Sequence, residues 1–286
     1  MTASLPFRFG VSQFTTWPWS FEQDLENYAG LDIEAIEVCE SKLDDERADE
    51  QLAIIGQRGL KICSVQPAVR TLFPSRMQPE PEDPRERMGQ FRRAIERISR
   101  FAPDASFVTH TGPPANGDIQ EVFEVGAREY RELAEFAHEH GVRVALEPLS
   151  ASLMNVESAI WTLEQAMRLV ASVDHANFGV CVDLWNLWQN ANIIQQIEAC
   201  GESTFVVQVS DWRTPRSFAD RRIVGRGEIP LPALLRAIRE SGYRGVYMLE
   251  ILSQNVPDSL WEADLREVID ESRTGLEKAW REAFES

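Results

Sequence analysis

The sequence lacks an excess of positive charge, a long apolar run and a recognisable leader. Lys and Arg total 29 against 46 Asp and Glu over 286 residues, a net charge of -17. This balance argues against long-range attraction to nucleic acid or to anionic membranes. No apolar stretch approaches the roughly 18 residues of a membrane span, and the first residues have neither the charged nor the apolar region of a signal peptide. We therefore expect a soluble, cytoplasmic protein without a nucleic-acid or membrane partner.

Cysteine and histidine are also scarce. The four cysteines show no CxxC pair, and three of them lie in apolar strand-like runs: Cys39, Cys63 and Cys181. This placement favours buried reduced thiols over a disulfide framework or a zinc ribbon. No GxGxxG follows the first apolar run, so the sequence lacks the dinucleotide-binding fingerprint.

Short apolar runs alternate with amphipathic segments along the whole chain. The runs are FRFGVSQF, AIEVCE, LKICSVQP, SFVTHTG, RVALEPL, FGVCVDLW, TFVVQVSD and GVYMLEIL. Apolar residues at spacings of three and four between them predict helices, several of which end at glycine. Near-continuous apolar strands separated by helices indicate a parallel sheet buried on both faces. Eight such units favour one closed (β/α)8 TIM barrel domain over residues 1–286, with a doubly wound open sheet as the alternative.

Two long connections follow predicted strands. Residues 72–88 are rich in proline and charge, and we expect a loop whose acidic residues cap the next helix. Residues 211–232 follow the seventh strand. Both connections leave the carboxyl ends of strands, so they are expected on the face where the active sites of TIM barrels are built.

Oxygen-bearing side chains stand at the ends of four consecutive predicted strands: Glu147, Asp183, Gln208 and Glu250. In a closed barrel these positions converge on the mouth, where three carboxylates would repel one another without a cation between them. Each residue alone could equally be a solvated strand end or a helix cap. Together they predict a divalent metal ion, with Mn²⁺ or Mg²⁺ favoured and Co²⁺ possible.

The motifs LEPL, CVDLWN, VVQVSDW with the later GRGEIPL, and YMLEI resemble the sugar isomerase and epimerase families of the xylose-isomerase-like TIM barrel superfamily. The resemblance implies that Glu147, Asp183, Gln208 and Glu250 bind one divalent metal. It also implies that Glu147 and Glu250 transfer protons on opposite faces of the substrate.

Three positions depart from the ketose epimerases of that superfamily. Gln208 stands where many of them have histidine, Asn186 where they have a substrate-binding histidine, and Leu153 where they have a second glutamate. These departures argue against simple transfer of a ketose 3-epimerase activity. They leave open a dehydratase or other lyase, since proton abstraction beside a carbonyl leads to isomerisation or to loss of a β-substituent.

Further strand-end residues are candidates for substrate binding. His110 ends the fourth strand and matches a pocket position of the family, although a turn histidine bonded to backbone would look the same. Glu40 and Gln66 end the second and third strands and could line the mouth, with capping or ion pairing as the alternative.

Aromatic and basic residues of the loops give three more candidates. Trp17 and Trp185 follow strands one and six, where indole rings could stack on the apolar face of a sugar or simply pack beneath the loops. Arg213 belongs to an arginine-rich stretch after strand seven and could hold an anionic substrate group or pair with local acids.

The leading hypothesis is a metal-dependent isomerase or epimerase that acts on a sugar, keto-sugar or polyol. A DNA endonuclease of the same superfamily would need a histidine-rich zinc cluster, which four histidines and the negative net charge disfavour. A barrel that binds sugar without turnover is the other alternative. The small-molecule substrate is the expected partner, and a homo-oligomer is possible.

Overall fold

Eight parallel strands form a closed barrel in the order in which they occur along the chain. The computed structural model describes residues 5–114 and 116–285. The strands are β1 (Arg8–Ser12), β2 (Ala35–Cys39), β3 (Lys61–Gln66), β4 (Ser106–Thr109), β5 (Arg143–Leu146), β6 (Phe178–Asp183), β7 (Thr204–Val209) and β8 (Val246–Leu249). The predicted barrel is confirmed, and the open-sheet alternative is excluded because β1 pairs with β8.

Helices surround the barrel between successive strands. They are α1 (Phe21–Tyr28), α2 (Ala48–Gln57), α3 (Pro84–Ile98), α4 (Ile119–Glu139), α5 (Leu163–Val173), α6 (Leu184–Leu187), α7 (Ile193–Cys200), α8 (Leu231–Glu240) and α9 (Leu265–Phe284). Among the described residues, no helix combines the length and apolar character needed to cross a membrane. All four cysteines are free thiols, and three of them are buried.

Local capping explains where several helices begin. As the acidic composition predicted, Asp83 caps α3, and its carboxylate accepts hydrogen bonds from the amides of Arg85 and Glu86. The loop predicted over residues 72–88 therefore ends at Asp83. Pro84 occupies the first helical turn, where a missing amide proton has no cost.

Local caps also set the start of two further helices. α5 begins at Leu163, after Thr162 and Gln165 form a reciprocal capping box. α4 begins at Ile119, where the carboxylate of Asp118 accepts a hydrogen bond from the amide of Gln120. Apolar periodicity alone does not reveal these caps.

The loop after β7 packs tightly on the last helix through glycine. A Cβ built on Gly275 in α9 would lie 1.9 Å from the carbonyl oxygen of Val224. The adjacent Gly225 has φ +81°, a left-handed conformation that favours glycine. The backbone of this loop can therefore approach α9 only while residue 275 has no side chain.

We expect Gly275→Ala to lower the free energy of unfolding by about 2 to 3 kcal/mol, because the methyl group must displace the Val224 carbonyl. Urea denaturation measures the change. Gly56→Ala is the matched control, since a Cβ there meets nothing within 4 Å. That control should be neutral or stabilising by up to about 1 kcal/mol. Equal stabilities for the two variants would contradict the tight packing.

Candidate functional site

Three carboxylates meet at the carboxyl ends of the strands. Glu147 directly follows β5, Asp183 is the last residue of β6, and Glu250 directly follows β8. One ligand oxygen from each lies within 4.8 Å of the other two. Each residue is at most 3% exposed. The closed barrel thus brings together acidic groups whose first and last members, Glu147 and Glu250, are 103 residues apart in sequence.

Glu147 is held by two neutral partners. Asn186 in α6 donates through Nδ2 to Glu147 Oε1 at 2.9 Å and to Asp183 Oδ2 at 2.7 Å. The backbone amide of Ser150 donates to Asn186 Oδ1 at 3.0 Å, which fixes the orientation of the side-chain amide. His110 Nε2 lies 2.9 Å from Glu147 Oε2. Burial, reinforced by the charge of Arg70, lowers the pKa of His110 to about 3, so a neutral imidazole shares a hydrogen bond with the Glu147 carboxyl group.

Arg221 supplies positive charge to the other two carboxylates. Its guanidinium lies 2.8 Å from Asp183 Oδ2 and 2.9 Å from Glu250 Oε2. The same guanidinium stands over the ring of Trp185, 5.1 Å from its centroid. Arg221 lies in the arginine-rich stretch seen in the sequence, but the sequence did not single it out from its neighbours.

A fourth buried carboxylate, Glu37, was missed by the sequence analysis. It lies in the middle of β2, fully buried, and accepts a hydrogen bond from Ser64 Oγ at 2.6 Å. It also accepts from Gln208 Nε2 at 3.1 and 3.3 Å. The sequence feature that could have identified it is a glutamate inside the apolar run AIEVC. Side chains of a strand alternate between its two faces, so Glu37 shares a face with Ala35 and Cys39.

Gln208 in β7 links Glu37 to the carboxylate cluster. Its Nε2 donates to Glu250 Oε1 at 2.9 Å, and its Oε1 lies 3.1 Å from Cys181 Sγ. The amide nitrogen therefore faces both carboxylates. As a metal ligand Gln208 would have to turn its oxygen toward Glu250, which requires rotation of the amide by a half turn. The role of Gln208 as a metal ligand stays a prediction.

A model of the xylose isomerase-like TIM barrel family matches residues 25–278. The chain belongs to the xylose isomerase-like TIM barrel family. Curated relatives include an inosose isomerase of Bacillus subtilis (strain 168), 30% identical over 125 residues, which are 42% of this chain and 44% of the relative. A second inosose isomerase, from Bacillus velezensis, is 28% identical over 137 residues, 46% of this chain and 48% of the relative. These matches span less than half the length of the relatives.

Several solved structures share the fold. The IolI protein with a bound zinc atom superposes with a TM-score of 0.79 at 21% identity, over 98% of this chain and 100% of that one. An L-ribulose 3-epimerase superposes with a TM-score of 0.75 at 18% identity, over 97% of both chains. At sequence identities this low, the comparison shows a shared barrel fold and nothing about substrate.

The donor set fits a divalent cation. Burial raises the pKa of Glu147 to about 8 and raises the pKa values of Asp183 and Glu250 above their ordinary range, because desolvation disfavours the charged carboxylates. With Glu37, four carboxyl groups share one directly paired guanidinium, that of Arg221. A divalent ion would supply the missing positive charge. Glu147, Asp183 and Glu250 would hold it, with Gln208 as the candidate fourth ligand.

Two of the remaining predicted residues lie at or beside the cluster. Gln66 lines the cavity above the cluster, and its Oε1 has no hydrogen-bond partner among the described residues. Trp185 is buried with its ring against the guanidinium of Arg221, and it does not line this cavity.

Three predicted substrate contacts lie elsewhere. Trp17 borders a separate cleft with Trp19 and Lys42. Glu40 accepts a hydrogen bond from the backbone amide of Ala68 at 2.8 Å and lies 3.8 Å from Arg97, which is the structural alternative that the sequence left open. The guanidinium of Arg213 pairs with Asp220 and Asp258 at 3.2 and 3.0 Å. None of the three lines the cavity at the carboxylate cluster.

Proposed function

We propose that the protein is a divalent-metal-dependent isomerase or epimerase that acts on a keto-sugar or keto-polyol by proton transfer beside the carbonyl. The observation that carries this proposal is the convergence of Glu147, Asp183 and Glu250 within 4.8 Å at the barrel mouth. Such crowding of buried anions is tolerable when a cation lies between them. The proposed partner is accordingly a small sugar or polyol.

Two glutamates are placed to move protons. Both Glu147 and Glu250 line the cavity, whereas Asp183 does not. Without metal, burial and the charge of Asp183 raise the pKa of Glu147 to about 8, and a bound cation would lower that pKa toward the range of a base that works at neutral pH. Asn186 and His110 fix the orientation of Glu147 through both of its oxygens. A bound divalent metal would stabilise the negative charge that develops on the substrate oxygen.

The proposed metal is Mn²⁺ or Mg²⁺, with Co²⁺ possible. The three carboxylates and the amide of Gln208 offer only oxygen in this role, and hard divalent ions prefer oxygen ligands. His110 is hydrogen-bonded to Glu147 Oε2, so it orients a carboxylate that would bind the ion.

The names of the curated relatives suggest an initial set of substrates. Both matched Bacillus proteins are inosose isomerases, so a keto-inositol belongs in the panel beside free ketoses. Asn186 and Leu153 border the same cavity in place of the epimerase histidine and glutamate, and they keep elimination open as the second outcome.

Proton NMR in D₂O tests the proposed function. Metal-loaded protein is incubated with inosose and a panel of ketoses, with Mg²⁺ for spectra and Mn²⁺ in parallel quenched reactions. We expect metal-dependent loss of the signal of the carbon-bound proton beside the carbonyl, together with signals of an isomer or epimer. Signals of an alkene or of its keto tautomer would assign the reaction to the lyases. Absence of exchange across the panel with every metal would contradict proton-transfer catalysis.

A further inference from the structure

One guanidinium at the cavity forms no direct ion pair with any carboxylate of the described residues, although its charge acts on nearby Glu147. Arg70 follows β3, and its side chain lines the cavity that also contains Glu147, Glu250 and His110. Among the described residues, no carboxylate oxygen lies within 4.0 Å of its nitrogens, and its buried Nε has no hydrogen-bond partner. A buried donor without a partner is costly, so this arrangement indicates that something else binds there.

Arg70 is held in place from both sides of its backbone. Its amide donates to Gln78 Oε1 at 3.1 Å, and its carbonyl accepts from the amide of His110 at 2.9 Å and from Thr109 Oγ1 at 2.8 Å. The guanidinium stands 5.4 Å from the ring centroid of Phe14, which also borders the cavity. The group is therefore oriented before any ligand arrives, which reduces the entropic cost of binding.

The arginines of the loop after β7 are all paired with carboxylates. Arg213 and Arg216 bind Asp220 and Asp258, Arg222 binds Asp258, and Arg221 binds Asp183 and Glu250. The chain has 46 acidic residues. Acidic side chains are therefore plentiful, yet none forms an ion pair with Arg70 among the described residues.

The remaining carboxylate of the cavity wall is already engaged. Glu157 borders the cavity and is 7% exposed, and its Oε1 accepts a hydrogen bond from the backbone amide of Met77 at 2.9 Å. It forms no ion pair with Arg70. The cavity therefore carries the carboxylate cluster on the strand ends and, on the loop after β3, a guanidinium that is not hydrogen-bonded to that cluster.

We propose that Arg70 binds a carboxylate of the substrate, so that the preferred substrate is a keto-sugar acid or keto-polyol acid and not a neutral sugar. This inference rests on the proposed function, because it places the carbonyl end of the same molecule at Glu147 and Glu250. One planar guanidinium matches the two oxygens and single charge of a carboxylate. A phosphate dianion would call for further donors, and the neighbouring Arg221 already binds two carboxylates.

A matched pair of ligands tests the inference. D-fructuronate and D-fructose differ only in a carboxylate or a hydroxymethyl group at the end distant from the carbonyl, and calorimetry with Mn²⁺-loaded protein gives the affinity for each. The natural protein should bind the acid at least about 10-fold more tightly. In Arg70→Met the affinity for the acid should fall by about 10- to 100-fold, while that for the neutral sugar changes less than about threefold.

Two further variants and one further ligand sharpen the test. Arg76→Met removes the same charge from an exposed residue of the same loop and should keep the preference for the acid. Arg70→Lys keeps the charge, loses the planar fork and should retain only part of the preference. Three results would overturn the assignment. Arg76→Met could lose as much affinity for the acid as Arg70→Met, or Arg70→Met could keep the full preference for the acid. The natural protein could also bind fructose 6-phosphate more tightly than fructuronate.

Exchange measurements separate this inference from the proposed function. If the protein exchanges the carbon-bound proton of neutral ketoses as readily as that of their acids, and Arg70→Met binds both alike, the role of Arg70 is wrong while proton transfer stands. If no ligand is exchanged but the acid binds through Arg70, proton transfer is wrong while the carboxylate site stands.

Discussion

Glu250→Gln is expected to lower metal-dependent proton exchange by about 10³-fold, within the range that general acid and base groups contribute. The substitution preserves the size of the side chain but removes a base that lines the cavity and an oxygen anion of the carboxylate cluster. The exchange rate in D₂O with saturating metal is the measurement. Circular dichroism and the denaturation midpoint verify that the barrel remains folded.

Glu228→Gln is the control for Glu250→Gln. The change in chemistry is identical, but Glu228 is exposed on the loop after β7 and lies outside the cavity. Its exchange rate should match that of the natural protein within about twofold, as usual for a surface substitution. Undiminished exchange in Glu250→Gln would remove this residue from the chemistry.

Arg221→Met should have the largest effect on stability without metal, a loss of about 3 to 5 kcal/mol in the free energy of unfolding. The side chain is 6% exposed and bridges Asp183 and Glu250, so its removal leaves two buried carboxylates without their cation. A divalent metal should restore part of the loss, because it supplies positive charge to the same carboxylates. Urea denaturation with and without Mn²⁺ measures both effects.

Arg222→Met is the neighbouring control. Among the described residues the Arg222 side chain pairs only with Asp258, whose side chain is 49% exposed, and exposed pairs contribute about 1 kcal/mol or less. This variant should lose little stability and should respond to Mn²⁺ as the natural protein does. If Arg221→Met were equally mild, or if Mn²⁺ failed to stabilise it, the electrostatic account of the cluster would be wrong.

The barrel and its strand-end acids were predictable because both follow from local patterns. Apolar runs alternating with amphipathic segments indicate parallel strands, and the carboxyl ends of such strands meet at one mouth. Glu147, Asp183 and Glu250 were identified by this argument, and the structure brings them together. They could be grouped although they are far apart in sequence, because the repeated strand–helix pattern predicts a closed barrel whose strand ends all meet at one mouth.

The side chains around those acids were harder to predict because their positions depend on pairing in three dimensions. Arg213 and Arg221 belong to the same stretch of sequence, yet Arg213 binds surface acids and Arg221 enters the site. Glu37 lies in the middle of β2 and not at its end, so the argument from strand ends did not identify it. Arg70 was identified as a candidate ligand site because its guanidinium forms no ion pair among the described residues and its buried Nε has no hydrogen-bond partner. No sequence pattern shows this.

Anomalous diffraction from crystals grown with Mn²⁺ tests the central claim most directly. We expect one strong anomalous peak per chain, coordinated by oxygens of Glu147, Asp183 and Glu250. This peak should be lost in Asp183→Asn. Two results would contradict this expectation: a peak elsewhere with none at these three carboxylates, or carboxylates that keep their present protein partners at saturating Mn²⁺ with no metal between them.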